Sequence, residues 1–212
     1  MLRRSDINLI QKSLADLDAA RDSVFEASRI SVRFSGRAII ELHRGDLQRA
    51  GEHLKSAEDA LRDLEKMLRK REELKCLGNV TLAYQEYAEA KLLYSVMTEA
   101  KIPSLSEVGV DIEPYLLGLL DFIGELRRLC LNYLRAGQTS KAEDSLRMME
   151  EIYEELYSID HTAIISNFRH KMDTARKLVE ATRGDVVTEV RRLSLETALK
   201  SYERRLLKKT ET

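Results

Sequence analysis

Proline, glycine and tryptophan are scarce in this chain, and their scarcity limits the folds that it can adopt. Among 212 residues there are 2 Pro, 9 Gly and no Trp. A β-rich fold needs turn residues at short intervals, and this composition supplies too few of them. What the chain has in surplus is Ala, Leu, Glu, Arg and Lys, which are strong helix formers. The composition therefore favours an all-α fold built from long helices.

Cysteine and long apolar runs are also scarce. Cys76 and Cys130 show neither the spacing of a metal site nor a disulfide framework, which is typical of a reducing compartment. We expect both thiols to be core residues. The sequence turns polar at Arg3, without the apolar segment of a signal peptide. No stretch approaches the roughly 20 apolar residues of a membrane span. These features predict a cytoplasmic protein with no membrane partner.

Charge of one sign is not in excess, because the formal net charge is −1. No global field attracts nucleic acid, so any such binding must come from local patches. In the predicted first helix, Arg29, Arg33 and Arg37 recur every four residues and Arg44 follows. This row is either a solvated helix face or a surface that follows a phosphate backbone. The candidate nucleic-acid-binding residues are Arg29, Arg33, Arg37, Arg44, Arg127 and Arg128.

Four acidic residues lie in two predicted helical segments about thirty positions apart. Glu86 and Glu89 are three residues apart, and Asp121 and Glu125 are four apart, so each pair shares one helix face. The second pair is the more unusual, because it lies within a strongly apolar run. Converging carboxylates are a common way to hold a hard divalent cation such as Mg²⁺. The alternative is a pair of solvated faces, because 33% of the chain is charged.

Turn signals divide the chain into about seven helices, several of them long and antiparallel. We predict one domain over residues 1–212, without internal repeats or linkers. Residues 183–209 form its basic C-terminal helix, with 8 basic and 4 acidic residues. The predicted helices cover residues 5–44, 46–77, 80–100, 111–136, 139–158, 162–183 and 185–209.

Two segments of the sequence resemble the translin family. Residues 111–128 read DIEPYLLGLLDFIGELRR. They are similar to the family block D-Y-L-L-G-x-x-D-x-x-G-E-L-x-R, although Pro114 stands where that block has its acid. Residues 29–44 resemble the signature of the family's first helix. The resemblance extends to about residue 160, and the basic C-terminal helix matches poorly.

A third segment, Gln85-Glu86-Tyr87-Ala88-Glu89-Ala90, resembles the catalytic Q-E-x-x-E-A of the translin-associated factor X (TRAX) subunit. The chain is thus similar to the nuclease-type subunit, in a prokaryotic or archaeal form. This resemblance implies that Glu89 and Glu125 ligate Mg²⁺, with Mn²⁺ as a substitute, and that Glu86 and Asp121 complete the acidic cluster. It also implies a hollow octameric barrel that encloses RNA, binds single-stranded DNA as a further ligand, and can include a second translin-type subunit.

Other classes of all-α protein are alternatives to this hypothesis. Ferritin-like di-iron proteins need Glu-x-x-His, and no histidine here has glutamate three positions before it. All-α nucleotide pyrophosphohydrolases use a different order and spacing of acids. A non-catalytic barrel that binds single-stranded RNA or DNA is the strongest alternative to a nuclease. A bare helical scaffold ranks after these two. We predict a Mg²⁺-dependent endoribonuclease that cuts single-stranded RNA, or loops and overhangs of folded RNA.

Overall fold

The structure, a computed structural model, describes residues 3–160 and 162–210. Within these residues it contains seven α-helices and no strand, which confirms the predicted all-α class and helix count. Short 3₁₀ turns occupy Glu72–Leu74 and Thr162–Ile164. The α-helices are α1 (Arg4–Arg44), α2 (Leu47–Lys70), α3 (Gly78–Glu99), α4 (Leu105–Val108), α5 (Ile112–Arg135), α6 (Thr139–Tyr157) and α7 (Phe168–Thr210).

The chain divides into two compact units, Met1–Phe122 and Ile123–Thr212. The first unit contains α1 to α4 and the beginning of α5. The second contains the rest of α5 together with α6 and α7. The single domain over residues 1–212 stays a prediction.

In the first unit, α1 and α2 form an antiparallel hairpin. Gly45 ends α1 with a φ of 82°, a left-handed conformation that glycine adopts without steric cost. Asp46 then caps α2 by accepting a hydrogen bond from the backbone N–H of Arg49 at 3.0 Å. Further along the hairpin, the Ser31 hydroxyl donates to the backbone carbonyl of Ala57 at 3.3 Å. The serine side chains on this face are small, so the two helices can approach closely.

The first third of α1 does not share this packing. Every residue from Arg4 to Asp16 is exposed, and the first buried residue of the helix is Val24. Ile10 and Leu14, one turn apart, are 50% and 61% exposed. Because exposed apolar side chains at helical spacing form a stripe, this end of α1 presents an apolar face that its own unit leaves uncovered.

In the second unit, α6 packs against α7 through matching stripes of buried residues. On α7 these recur at spacings of three and four, which is the period of one helix face. Arg183 Nη2 adds an ion pair to Glu150 Oε1 of α6 at 2.7 Å. The buried α7 residues are Phe168, Met172, Ala175, Val179, Thr182 and Val186.

The prediction of two helices, 162–183 and 185–209, is wrong, because α7 runs without a break through Gly184. A glycine inside a helix costs about 1 kcal/mol relative to alanine. The buried face continues from Thr182 to Val186 across the glycine, and that packing outweighs the cost. The helix count agrees because the short α4, which lies in a predicted loop, replaces the lost element. The basic segment 183–209 is therefore the outer part of α7; the side chains of Lys208 and Lys209 lie outside the described residues.

Two smaller expectations also need correction. The second helix ends at Lys70 rather than near residue 77, and a 3₁₀ turn follows it. Cys76, just after that turn, is exposed, so it is not a core residue. Cys130 is buried as expected, and burial raises the pKa of its thiol to about 11. Among the described residues, none of the helices has the length and hydropathy that crossing a membrane requires.

Candidate functional site

The acidic pair Glu86 and Glu89 lies in the middle of α3, the most deeply buried helix of the first unit. Residues 87–90 are all buried, which means that α3 is covered on more than one face. Glu89 is only 8% exposed, and Glu86 is half-buried. A carboxylate is rarely buried to this extent unless the site compensates its charge. The burial of Glu89 therefore distinguishes it from the many solvated acids of this chain.

Gly118 brings α5 close to α3 at the level of these acids. A Cβ at Gly118 would lie 2.9 Å from Ala88 Cβ, 3.1 Å from the backbone oxygen of Gln85 and 3.2 Å from the backbone nitrogen of Glu89. No side chain fits at such distances, so glycine is required for the approach. The segment of α3 that carries the acids thus faces α5 directly.

A hydrogen bond links the same two helices one turn further along α5. Gln85 Nε2 donates to Asp121 Oδ2 at 2.5 Å, and Gln85 itself is 7% exposed. The bond orients the Asp121 carboxylate toward α3. Gln85 lies one helical turn before Glu89, so Glu89 and the donor to Asp121 share a face of α3. Gln85 was not among the predicted site residues, because its role depends on a partner thirty-six positions away in the sequence.

Glu125 follows Asp121 by one turn of α5 and belongs to the second unit. Its side chain is 20% exposed, and Arg128 Nη1 lies 3.6 Å from its Oε2. Three predicted acids therefore lie in the first unit, and the fourth lies on the continuation of α5.

The chemistry of these residues fits a hard divalent cation, because carboxylate oxygens are the donors that Mg²⁺ prefers. The placement of the side chains does not yet form a cage. Within residues 3–160 and 162–210, no three His, Cys, Asp or Glu side chains are grouped so that they could hold one metal ion. In the first unit, one oxygen of Asp121 is turned toward the Gln85 amide instead. A metal site would therefore need the carboxylates to reorient.

Two tyrosines flank Glu86 on α3, and both remain protonated at neutral pH. Burial raises the pKa of Tyr84 to about 12, with the Glu65 and Asp111 charges adding to the effect. Burial also raises the pKa of Tyr87 to about 12, and Glu58 adds to it while Arg62 opposes it. Neither phenol can act as a base near pH 7, although each can donate a hydrogen bond.

The predicted arginine row is exposed along α1, where each of its first three members stacks on a phenylalanine. The Arg29 guanidinium carbon lies 5.8 Å from the centroid of the Phe25 ring. The corresponding carbons of Arg33 and Arg37 lie 5.5 and 5.8 Å from the Phe34 ring. Stacking of this kind orients a guanidinium without neutralising it. These phenylalanines were missed, although their spacing of three or four residues from an arginine was visible.

Arg29 also lies 3.6 Å from Glu26 Oε2, and the remaining predicted arginines have acidic or polar neighbours as well. Arg44 Nη1 lies 2.9 Å from Glu41 Oε1 at the end of α1. Arg127 is directed at α7, where its Nη1 donates to Thr182 Oγ1 at 2.7 Å and its Nη2 lies 3.0 Å from Asp185 Oδ2. Arg128 is exposed beside Glu125. Their role in nucleic-acid binding stays a prediction.

Known proteins resemble this chain in sequence and in fold. The sequence model of the Translin family matches residues 8–182. The match extends past residue 160, further than the sequence motifs indicated, and stops before the basic outer part of α7. An uncharacterized protein of Methanocaldococcus jannaschii is 31% identical over 200 residues, which cover 92% of this chain and 87% of that protein.

Solved structures agree with the sequence comparison. The structure described as AfC3PO in a duplex RNA complex is 29% identical, with a TM-score of 0.78 over 89% of this chain and 98% of that one. Apo-NeC3PO, at 23% identity, shares the fold with a TM-score of 0.79 over 89% of this chain and 98% of its own. The family match over residues 8–182, together with the archaeal relative, shows that this chain belongs to the translin family.

Proposed function

We propose that this protein is a Mg²⁺-dependent endoribonuclease that cuts single-stranded RNA, or loops and overhangs of folded RNA, with Mn²⁺ as a substitute ion. The observation that carries the proposal is the close approach of α3 and α5 at Gly118, which brings a buried acidic segment against a second helix with acids of its own. A relative of the same fold is described in complex with duplex RNA. RNA as the bound partner is consistent with the exposed arginine row on α1.

In this proposal the four acids have two kinds of role. Glu89 and Glu125 would hold the ion, and Glu86 and Asp121 would orient water around it. A divalent ion held there supplies Lewis acidity toward the phosphate and neutralises developing negative charge. The burial of Glu89 keeps bulk water from its carboxylate. Gln85 holds Asp121 toward α3 until the carboxylates reorient.

We further propose that the protein works as a homo-oligomer, with an octamer as the expected form and cytoplasmic RNA as its ligand. The support is the pair of uncovered apolar stripes at opposite ends of the chain. On α7, Leu195, Leu199 and Tyr202 are each about 60% exposed, at spacings of four and three. On α1, Ile10 and Leu14 are similarly uncovered. Exposed stripes of this kind are typical of surfaces covered by another protein chain. Single-stranded DNA and a second translin-type subunit stay predictions.

The test measures cleavage and binding separately. Labelled single-stranded RNA is incubated with the purified protein in Mg²⁺ and in EDTA, for the parent, Glu89→Gln and Glu125→Gln. We expect each variant to lose cleavage by orders of magnitude, because a ligand charge is removed while the volume is kept. Binding measured by fluorescence anisotropy should persist. Glu151→Gln, an exposed acid of α6, is the matched control and should cut at the parent rate.

A non-catalytic barrel that binds single-stranded RNA or DNA is the second candidate. The observation that favours it is the orientation of three exposed arginines by aromatic rings, since affinity needs these cations and no acid. Two results would favour this function over the nuclease. In the first, the parent binds RNA but does not cut it. In the second, Glu89→Gln and Glu125→Gln cut RNA at the parent rate.

A further inference from the structure

A cleft lies between α1 and the first turns of α3, and Glu26 of α1 is one of its lining residues. Its volume is about 360 Å³, within the range of about 300–1,000 Å³ that is typical of small-ligand sites. Phe25, Arg29 and Arg33 line it from α1, and Asn79 and Leu82 line it from α3. Phe25 is 49% exposed and Leu82 is 42% exposed, so the cleft presents apolar walls to solvent.

The charge around the cleft is cationic beside a flat apolar surface. Arg29 covers one side of the Phe25 ring at 5.8 Å, which leaves the ring's remaining surface available to a planar group. Glu26 lies 3.6 Å from Arg29 and reduces its charge locally. Arg33 is exposed at the same cleft and can meet a phosphate. An aromatic platform and a neighbouring cation together match a nucleotide of single-stranded RNA.

We propose that this cleft is a nucleobase subsite, in which one unpaired base of the RNA stacks on Phe25. Arg33 binds the phosphate that adjoins that base. The subsite rests on the proposed function, because it presumes that single-stranded RNA is a ligand. It extends that function by selecting RNA segments with at least one unstacked base, which a continuous duplex does not offer.

The side chain of a second copy is the competing occupant, and the structure favours the base. An apolar protein side chain would leave the adjacent guanidinium of Arg33 facing an apolar group. A nucleotide can stack on the Phe25 ring and pair its phosphate with that guanidinium. The cleft therefore suits a planar, anionic ligand better than an apolar side chain.

The experiment compares RNA that has bases with RNA that lacks them. Binding of a labelled oligouridine and of an abasic ribose-phosphate oligomer of equal length is measured by anisotropy for the parent, Phe25→Ala and Phe25→Trp. Phe25→Ala should weaken oligouridine binding roughly 5- to 100-fold, which is the scale of one lost base stack. It should leave abasic binding and the salt dependence unchanged, and Phe25→Trp should restore the affinity. Tyr157→Ala, which removes an exposed ring of α6, is the matched control.

Three results would overturn the subsite. The first is an equal loss for both oligomers, which would mean that Phe25 acts through the backbone contacts. The second is a Phe25→Ala variant that binds oligouridine as the parent does. The third is a fall in oligomer mass by light scattering for Phe25→Ala, which would mean that a second copy covers the cleft. A parent that binds neither oligomer refutes the proposed function itself, and the subsite with it, so the two failures are distinguishable.

Discussion

Substituting Gly118 with alanine tests the closest approach between α3 and α5. A Cβ there would lie 2.9 Å from Ala88 Cβ, whereas two carbons prefer a separation of about 3.5–4.0 Å. The other two contacts are backbone atoms of α3, at 3.1 and 3.2 Å, which cannot rotate away. The helices must therefore separate by several tenths of an ångström. Overpacking of this kind costs about 1–3 kcal/mol.

The same substitution also adds helix propensity, and this gain has to be removed from the comparison. Replacing a helical glycine by alanine stabilises a helix by about 1 kcal/mol. Gly36, inside α1 of the same unit, has nothing within 4 Å of an added Cβ. Gly36→Ala should therefore stabilise the protein by up to about 1 kcal/mol. The free energies of unfolding of the two variants should differ by about 1–3 kcal/mol, with Gly118→Ala the less stable.

Urea denaturation followed by circular dichroism measures this difference, at one protein concentration because the proposed assembly would contribute to stability. RNA cleavage is measured in parallel, and it should fall in Gly118→Ala but not in Gly36→Ala, because the acid-bearing segments move apart. Equal free energies for the two variants would refute the reasoning, since the glycine would then have no role in helix contact.

Three further predictions concern the surface, a helix cap and a thiol. Replacing Arg33 and Arg37 with alanine should weaken RNA binding alike for unrelated sequences and reduce its salt slope by about one per lost phosphate contact, whereas Arg69→Ala on α2 should not. Glu107 has a pKa lowered to about 2, first by its hydrogen bond from Lys101 and then by Ser104. Its stabilising effect should be present above about pH 4.5 and lost as pH falls toward 2, so the urea midpoints of the parent and Glu107→Gln should converge over that range. Cys130 should resist a thiol reagent in the native protein and react only in denaturant, so that one thiol per chain is modified at first.

The sequence identified those features that local chemistry determines. Gly45 and Asp46 carry the signals of a helix end and a new cap, and the hairpin turns there. The acidic pairs were found because their spacing matches the helical period and their neighbours are apolar. The family motifs identified the fold for the same reason, since they lie within single helices.

What could not be predicted depends on contacts between distant residues. Gly184 is a helix-ending signal by itself, and only the packing of α7 against α6 shows that the helix continues through it. Gln85 gains its role from Asp121, thirty-six positions away in the sequence. The burial of Cys130 on α5 and the exposure of Cys76, in the turn before α3, likewise depend on tertiary packing, and a lone cysteine carries no such information.

If the protein assembles as proposed, the uncovered beginning of α1 links its folding to protein concentration. From Arg4 to Asp16 the helix has no buried residue in its own unit. A helical segment of about this length is marginally stable in water without tertiary contacts. In an isolated chain these residues would fray. A neighbouring molecule that covered Ile10 and Leu14 would bury their apolar side chains and stabilise this part of the helix. In the proposed oligomer, subunit association would then be the last step of folding for this part of the chain, and each copy would complete its first helix only on assembly.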